Sequence, residues 1–206
     1  RTTKEKATAA STGSYDLAEA TIVKLAHPLL KPHATKSITY KATLPKGKID
    51  DVFVAGPTQS IKKLDEHTCE LTVTAIRPTD PAELDAPDTQ PTAEDTAPNS
   101  LIQSDDKLIV SMASNVAIGE EDAWKIARTL ESFVHQTVDK KNFSRTFSTA
   151  AEVAQDREGD CTEHAVLLAA LARSRGLPAR VAIGLVYMES QQAFGYHMWN
   201  EIYVDK

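Results

Sequence analysis

Two side chains in this sequence have the types needed for nucleophilic acyl chemistry. Cys161 follows Gly159-Asp160, and His197 lies 36 residues later in Tyr196-His197-Met198-Trp199-Asn200-Glu201. A thiolate attacks peptide and carboxamide carbonyls, and an imidazole can take its proton and pass it to a leaving amine. Asp160 is a good N-cap, and Glu163 stands three residues on, as in a capping box. Cys161 is therefore expected as the first residue of a helix, where unpaired N–H groups and the dipole favour the thiolate. Gly159 leaves room for a substrate backbone. Glu158, Asp160 and Glu163 work against the thiolate, so a nearby imidazolium has to outweigh them. The competing reading is a buried structural cysteine, since free Cys is among the most buried residue types.

The elements that must hold this pair are legible around it. Ala165–Ala172 reads AVLLAALA, apolar on every face, as expected of a helix buried in a core. Arg173 and Arg175 fall in its last turn, Gly176 suits a left-handed cap, and Pro178 blocks continuation. Ala179–Tyr187 (ARVAIGLVY) reads as a buried strand, Met188–Gly195 as a hairpin loop and Tyr196–Val204 as the returning strand. On that strand His197, Trp199, Glu201 and Tyr203 share one face, and Met198, Asn200, Ile202 and Val204 the other. Trp199 is thus an aromatic neighbour for the imidazole. Glu201 and Asp205 lie roughly 14 and 27 Å further along an extended strand, so neither reaches His197 without a bend.

Other chemistries are weaker. His164 is three residues from Cys161, a ligand-compatible helical spacing, but no second Cys or His pair completes a tetrahedral metal set with His197. Neither a metal nor a cofactor is expected. The net charge of −6 gives no electrostatic case for nucleic acid. No run has the length of a transmembrane helix, so no membrane insertion is expected. The chain starts with Arg1 rather than Met, which is expected of a chain whose start, with any export signal, has been removed. Two cysteines do not make a disulfide framework.

Gly159 and Cys161, then Gly176-Leu177-Pro178-Ala179-Arg180, then His197, Trp199 and Glu201 together resemble the core motifs of the transglutaminase-like superfamily, which includes bacterial cysteine proteases. The resemblance covers about a quarter of the chain, Ala150–Tyr203. It implies a papain-like α+β fold, with a central buried helix against an antiparallel sheet. It also implies thiol acyl transfer, with Cys161 and His197 as catalytic residues and Gly159, Trp199 and Glu201 in support. The Cys161 N–H would be an oxyanion donor. The family's catalytic Asp lies on the next strand, beyond Lys206, so the chain is expected to be part of a longer protein. Trp124, 37 residues before Cys161, is near the place of an oxyanion-site Trp in animal members, but its amphipathic helix argues for core packing. Hydrolysis of protein or peptide substrates is expected ahead of amine crosslinking. A non-catalytic scaffold that keeps the fold is the further alternative.

The rest of the chain divides by composition. Residues 1–13 are small and polar, as in a disordered lead-in. Residues 14–77 read as a small all-β, sandwich-like module with strands at Ile22–Ala26, Ser37–Leu44, Val52–Ala55 and Cys69–Ile76. Alternation in the last puts Cys69 in a core, and Lys62-Lys63 reads as a solvated turn. Residues 78–99 form a Pro-rich acidic linker, with no EF-hand spacing for calcium. Residues 100–206 form the catalytic core. Within it Glu120–Val138 is expected as an amphipathic helix with Glu120, Glu121 and Asp122 in its first turn, and Ser148–Gln155 as a short helix.

Overall fold

The computed structural model describes residues 22–75, 90–140 and 148–204. The expected lead-in, the first part of the expected linker, Ile76 and Asp205 lie outside them. In chain order the elements are β1 (Val23–Lys24), β2 (Ser37–Thr43), α1 (Ile49–Val52), β3 (Gln59–Lys63), β4 (Thr68–Thr74), α2 (Lys107–Val116), α3 (Ala123–Thr137), α4 (Ala150–Asp156), α5 (Cys161–Ser174), β5 (Ala179–Met188) and β6 (Ala193–Ile202). Two compact units result: Arg1–Pro28 with Gln90–Lys206, and Leu29–Thr89.

The larger unit is an α+β core organised around α5. Ala165 through Arg173 are all buried. Helices α2, α3 and α4 pack on α5, and the β5–β6 hairpin packs against it as well. The sheet order is β1-β6-β5, all antiparallel. The Ile22–Ala26 segment contributes β1, whose Val23 and Lys24 pair with Phe194 and Ala193. A strand is expected here, but in the all-β module; it joins the core sheet instead, and a partner so far along the chain leaves no local signal.

Local chemistry fixes the helix ends. Asp106 caps α2 by accepting from Leu108 N–H at 2.8 Å, and Thr149 caps α4 in a capping box with Glu152. At the end of α5, Gly176 N–H bonds Arg173 O at 2.9 Å and Leu177 N–H bonds Ala172 O at 3.0 Å. Gly176 has φ +78°, so the expected left-handed cap is present as a Schellman motif. Arg175 does more than face the dipole: its guanidinium donates to the carbonyls of Ala113, Ala117 and Glu120, tying α5 to the end of α2.

Several expectations for this unit need correction. The hairpin loop spans residues 189–192 rather than Met188–Gly195, because Ala193, Phe194 and Gly195 pair with Met188, Tyr187 and Val186. Helix α3 starts at Ala123 with Asp122 as its N-cap, so Glu120 and Glu121 precede it. Trp124 is 62% exposed, not core. It lies about 200° around the helix from buried Ile126 at 100° per residue, on the far face. Strand β5 is not buried throughout, since Ile183 is 64% exposed. Ten strand residues span about 33 Å, whereas fourteen helical ones span about 21 Å, so the hairpin outruns the helix that covers it. Residues 90–99 are not an extended linker. They hold a 3₁₀ turn at Ala93–Asp95 with a Thr92–Asp95 capping box, and Arg173 donates to Ala97 O.

The smaller unit is one antiparallel sheet, order β2-β4-β3, rather than a sandwich among the described residues. One face carries Ile38, Tyr40, Cys69, Leu71, Val73 and Ile61. Cys69 is fully buried, as its alternation predicts, and burial pushes its thiol pKa up. The other face is polar, with Thr39 and Thr72 hydroxyls bonded at 2.7 Å. Val52–Ala55 joins no sheet. It closes the one-turn helix α1, whose Ile49 is fully buried, and leaves Val52 and Val54 exposed. Lys62 and Lys63 end strand β3, where Lys62 meets Glu70 at 3.0 Å and Lys63 meets Asp50.

Candidate active site

Cys161 is the first residue of α5 and is half-buried. The residues before it are held by a chain of backbone bonds. Gly159 N–H donates to Lys140 O at 2.9 Å, and Asp160 N–H donates to Glu163 Oε2 at 3.1 Å. The first turn is then satisfied by one residue. Asp160 Oδ1 accepts from Thr162 N–H at 2.9 Å, its carboxylate also accepts from Glu163 N–H, and its carbonyl accepts from His164 N–H at 3.1 Å. Cys161 N–H has no acceptor among the described residues. A helix start leaves four orphan donors. Here three are satisfied, and the fourth belongs to the residue that carries the thiol.

Glu163 is fully buried, with Oε1 accepting from Ser148 N–H at 3.2 Å. Gly159 is required beside it. A Cβ at Gly159 would lie 2.3 Å from Glu163 Cβ, and φ +156° is itself a backbone that L side chains rarely adopt. The Glu163 side chain is thus one cause of the need for glycine here.

The hairpin supplies the other expected residues. Asn200 Nδ2 donates to Ala165 O at 2.8 Å, and Val181 and Ile202 pack on the core. The face carrying Asn200 and Ile202 is therefore the one turned to α5. His197 is an odd number of residues from Asn200, so it lies on the opposite face with Trp199 and Glu201. His197 is exposed and makes no hydrogen bond to Cys161. Trp199 is beside it. The cross-strand partner of His197 is Gly184, and a Cβ there would meet Trp199 Cη2 at 2.6 Å, so the indole fills the space over that glycine. Trp199 is still 38% exposed and does not seal the imidazole from water. Glu201 is engaged elsewhere: its Oε2 accepts from Arg180 Nε at 2.7 Å.

A second imidazole stands at the helix start. His164 Nδ1 lies 2.6 Å from Asp160 O. A carbonyl oxygen only accepts, so Nδ1 carries the proton and Nε2, when the ring is neutral, keeps its lone pair. The structure thus brings Gly159, Cys161, Glu163 and His164 together at one end of α5. It places His197, Trp199 and Glu201 together on the outer face of the sheet. It does not join the two groups by a hydrogen bond. Trp124 belongs to neither.

Asn200 and the buried role of Glu163 escape sequence reasoning. Gly184 did carry a signal, because a glycine inside a β-branched run marks a close approach. Arg173, at the far end of α5, is held by Ala179 O at 2.8 Å, and burial lowers its pKa, partly offset by Asp95. Among the described residues no group of three or more His, Cys, Asp or Glu is arranged to hold a metal ion, and no helix is long and apolar enough to cross a membrane.

Residues 110–206 match the family described as the transglutaminase-like superfamily. No curated protein sequence matches the chain. Among solved structures it is similar to a candidate cysteine protease from Cytophaga hutchinsonii, with TM-score 0.51 and 16% identity over 89% of this chain and 67% of that one. It is also similar to the periplasmic domain of TgpA from Pseudomonas aeruginosa bound to ethylmercury, with TM-score 0.50 and 12% identity over 89% of this chain and 70% of that one. At these identities the likeness is one of fold. The matched residues include the central helix, the hairpin and the motifs on both, so this part of the chain is similar to the transglutaminase-like superfamily.

Proposed function

We propose that this chain is a Cys-based enzyme that cleaves peptide or carboxamide bonds, with Cys161 as the nucleophile. The observation that carries this reading is the unpartnered Cys161 N–H at the start of α5, on the same residue as a half-buried thiol. The Cys161 thiolate attacks the carbonyl carbon, a C–S bond forms, and the carbonyl electron pair moves to oxygen, where the N–H meets it. An imidazolium then protonates the leaving amine as the C–N bond breaks. Water attacks the thioester, the C–S bond breaks, and the thiol returns with a carboxylic acid as product. The name of the Cytophaga structure agrees with hydrolysis over crosslinking.

We assign the imidazole role to His197, with Trp199 walling one side of it and Gly159 and Glu201 in support. As β6 stands, His197 faces away from α5. A one-residue shift of β6 exchanges its faces, and would turn His197, Trp199 and Glu201 toward α5 while releasing Asn200 from Ala165. One observation favours a second assignment. His164 is on α5 itself, one turn from Cys161, with its Nδ1 proton already committed to Asp160 O.

The test is hydrolysis of a carboxamide-bearing peptide by the wild-type chain and by Cys161→Ala, His197→Ala and His164→Ala. Turnover lost with Cys161 and His197 supports the first assignment. Turnover lost with Cys161 and His164 but kept without His197 supports the second. Turnover that survives Cys161→Ala overturns both. A primary amine added to the wild-type reaction separates water from amine as the acceptor.

A further inference from the structure

We propose that Glu163 is the positioning residue of this site, holding the backbone before Cys161 so that the Cys161 N–H alone is left for an oxyanion. The proposal rests on the assignment of Cys161 as nucleophile.

A buried carboxylate is costly unless its oxygens are bonded. Glu163 is fully buried, and each of its oxygens accepts one backbone N–H, from two different segments. Oε1 holds Ser148, just ahead of the α4 N-cap Thr149, and Oε2 holds Asp160, the N-cap of α5. One side chain on the second residue after the nucleophile thus ties the nucleophile's own turn to the helix before it. Asp160 in turn satisfies the N–H groups of Thr162, Glu163 and His164. Were Asp160 free to turn, any of these could take the place of the Cys161 N–H as the exposed donor. Gly159 completes the clamp, because any Cβ there would collide with the Glu163 side chain. A glutamine has the same shape but one acceptor oxygen, so it cannot hold both N–H groups.

This account separates two reactions of the same sulfur. Acylation by 4-nitrophenyl acetate forms a C–S bond, breaks the ester C–O bond and releases nitrophenolate through a tetrahedral oxyanion. Alkylation by iodoacetamide displaces iodide at a saturated carbon and forms no oxyanion. Glu163→Gln is expected to slow acylation of Cys161 by at least about tenfold, a fraction of what losing an oxyanion donor costs, while alkylation, with both rates compared at a pH where the thiol is fully ionised, stays within about twofold. Gly159→Ala pushes on the same carboxylate from outside and is expected to give the same split, which covers the case in which Glu163→Gln does not fold. Both rates unchanged, or both lowered together, overturns the positioning role. A wild-type chain that alkylates at Cys161 but carries no acetyl group there overturns the assignment of the nucleophile itself, and with it this proposal.

Discussion

Asn200 Nδ2 donates to the Ala165 carbonyl oxygen at 2.8 Å, and this bond marks which face of β6 meets α5. Asn200→Ala is expected to lower stability by about 1 kcal/mol, the usual net worth of one hydrogen bond. Urea unfolding of the two proteins measures it. If the shifted register is the working one, the same variant raises acyl transfer, because it releases the face that competes with His197. Stability and activity both unchanged would mean the bond selects nothing.

Gly184 and Trp199 form the second contact that decides the surroundings of His197. Gly184→Ala places a Cβ 2.6 Å from Trp199 Cη2, so the indole has to move. In a Trp124→Phe background Trp199 is the sole tryptophan, and its emission should shift to the red as the ring is lifted into water. Emission identical in both proteins would mean that the ring does not lie over this strand.

Arg175 joins the end of α5 to the end of α2 through three carbonyls. Arg175→Met keeps most of the aliphatic stem and removes all three bonds. The expected loss is about 3 kcal/mol, more than for a neutral hydrogen bond because the donor is charged. Denaturant midpoints at a common slope test it. A loss below about 0.5 kcal/mol would place this residue with ordinary surface substitutions.

Asp95 holds the 3₁₀ turn at residues 93–95. Its pKa lies below the ordinary 3.8 because its carboxylate accepts from the Thr92 backbone N–H first, then from the Thr92 hydroxyl, with Arg180 and Arg173 adding attraction. A lowered carboxylate pKa means that the cap is intact above 3.8 and is lost as pH falls through the lower, folded value. The Thr92 amide resonance should therefore titrate with a midpoint below 3.8, and Asp95→Asn should abolish that step. A midpoint above 3.8 would contradict the cap.

Much of α5 was legible because its signals are local. Asp160 and Glu163 form their capping box within one turn, Gly176 sits at the left-handed cap, and Ala165–Ala172 is apolar enough to be central in any packing. Alternation also placed His197 with Trp199 and Glu201. It could not say which face of β6 meets α5, because both faces carry apolar residues: Met198 and Ile202 on one, Trp199 on the other. That choice is made by long-range contacts, the Asn200 bond to a helix carbonyl and the packing of Ile202 on the core. Trp124 misled for a related reason. It follows a helical run, but its angle around α3 points away from Ile126 and Leu130. The module strands were read where apolar residues alternate, at β2 and β4. They were missed at β3, whose Ser60, Lys62 and Lys63 resemble a turn until Glu70 and Asp50 pair the lysines.

The central claim is that Cys161, and not Cys69, forms a covalent acyl intermediate. The most direct measurement is mass spectrometry of the folded wild-type chain quenched in acid after brief exposure to 4-nitrophenyl acetate, followed by peptide mapping. The account predicts one acetyl group on the peptide bearing Cys161, absent from Cys161→Ala and lost on incubation in buffer as water resolves the thioester. Buried Cys69 should stay unmodified. Acetyl groups found only on lysines or on Cys69, with Cys161 unmodified, would contradict it and leave a non-catalytic relative that keeps the fold.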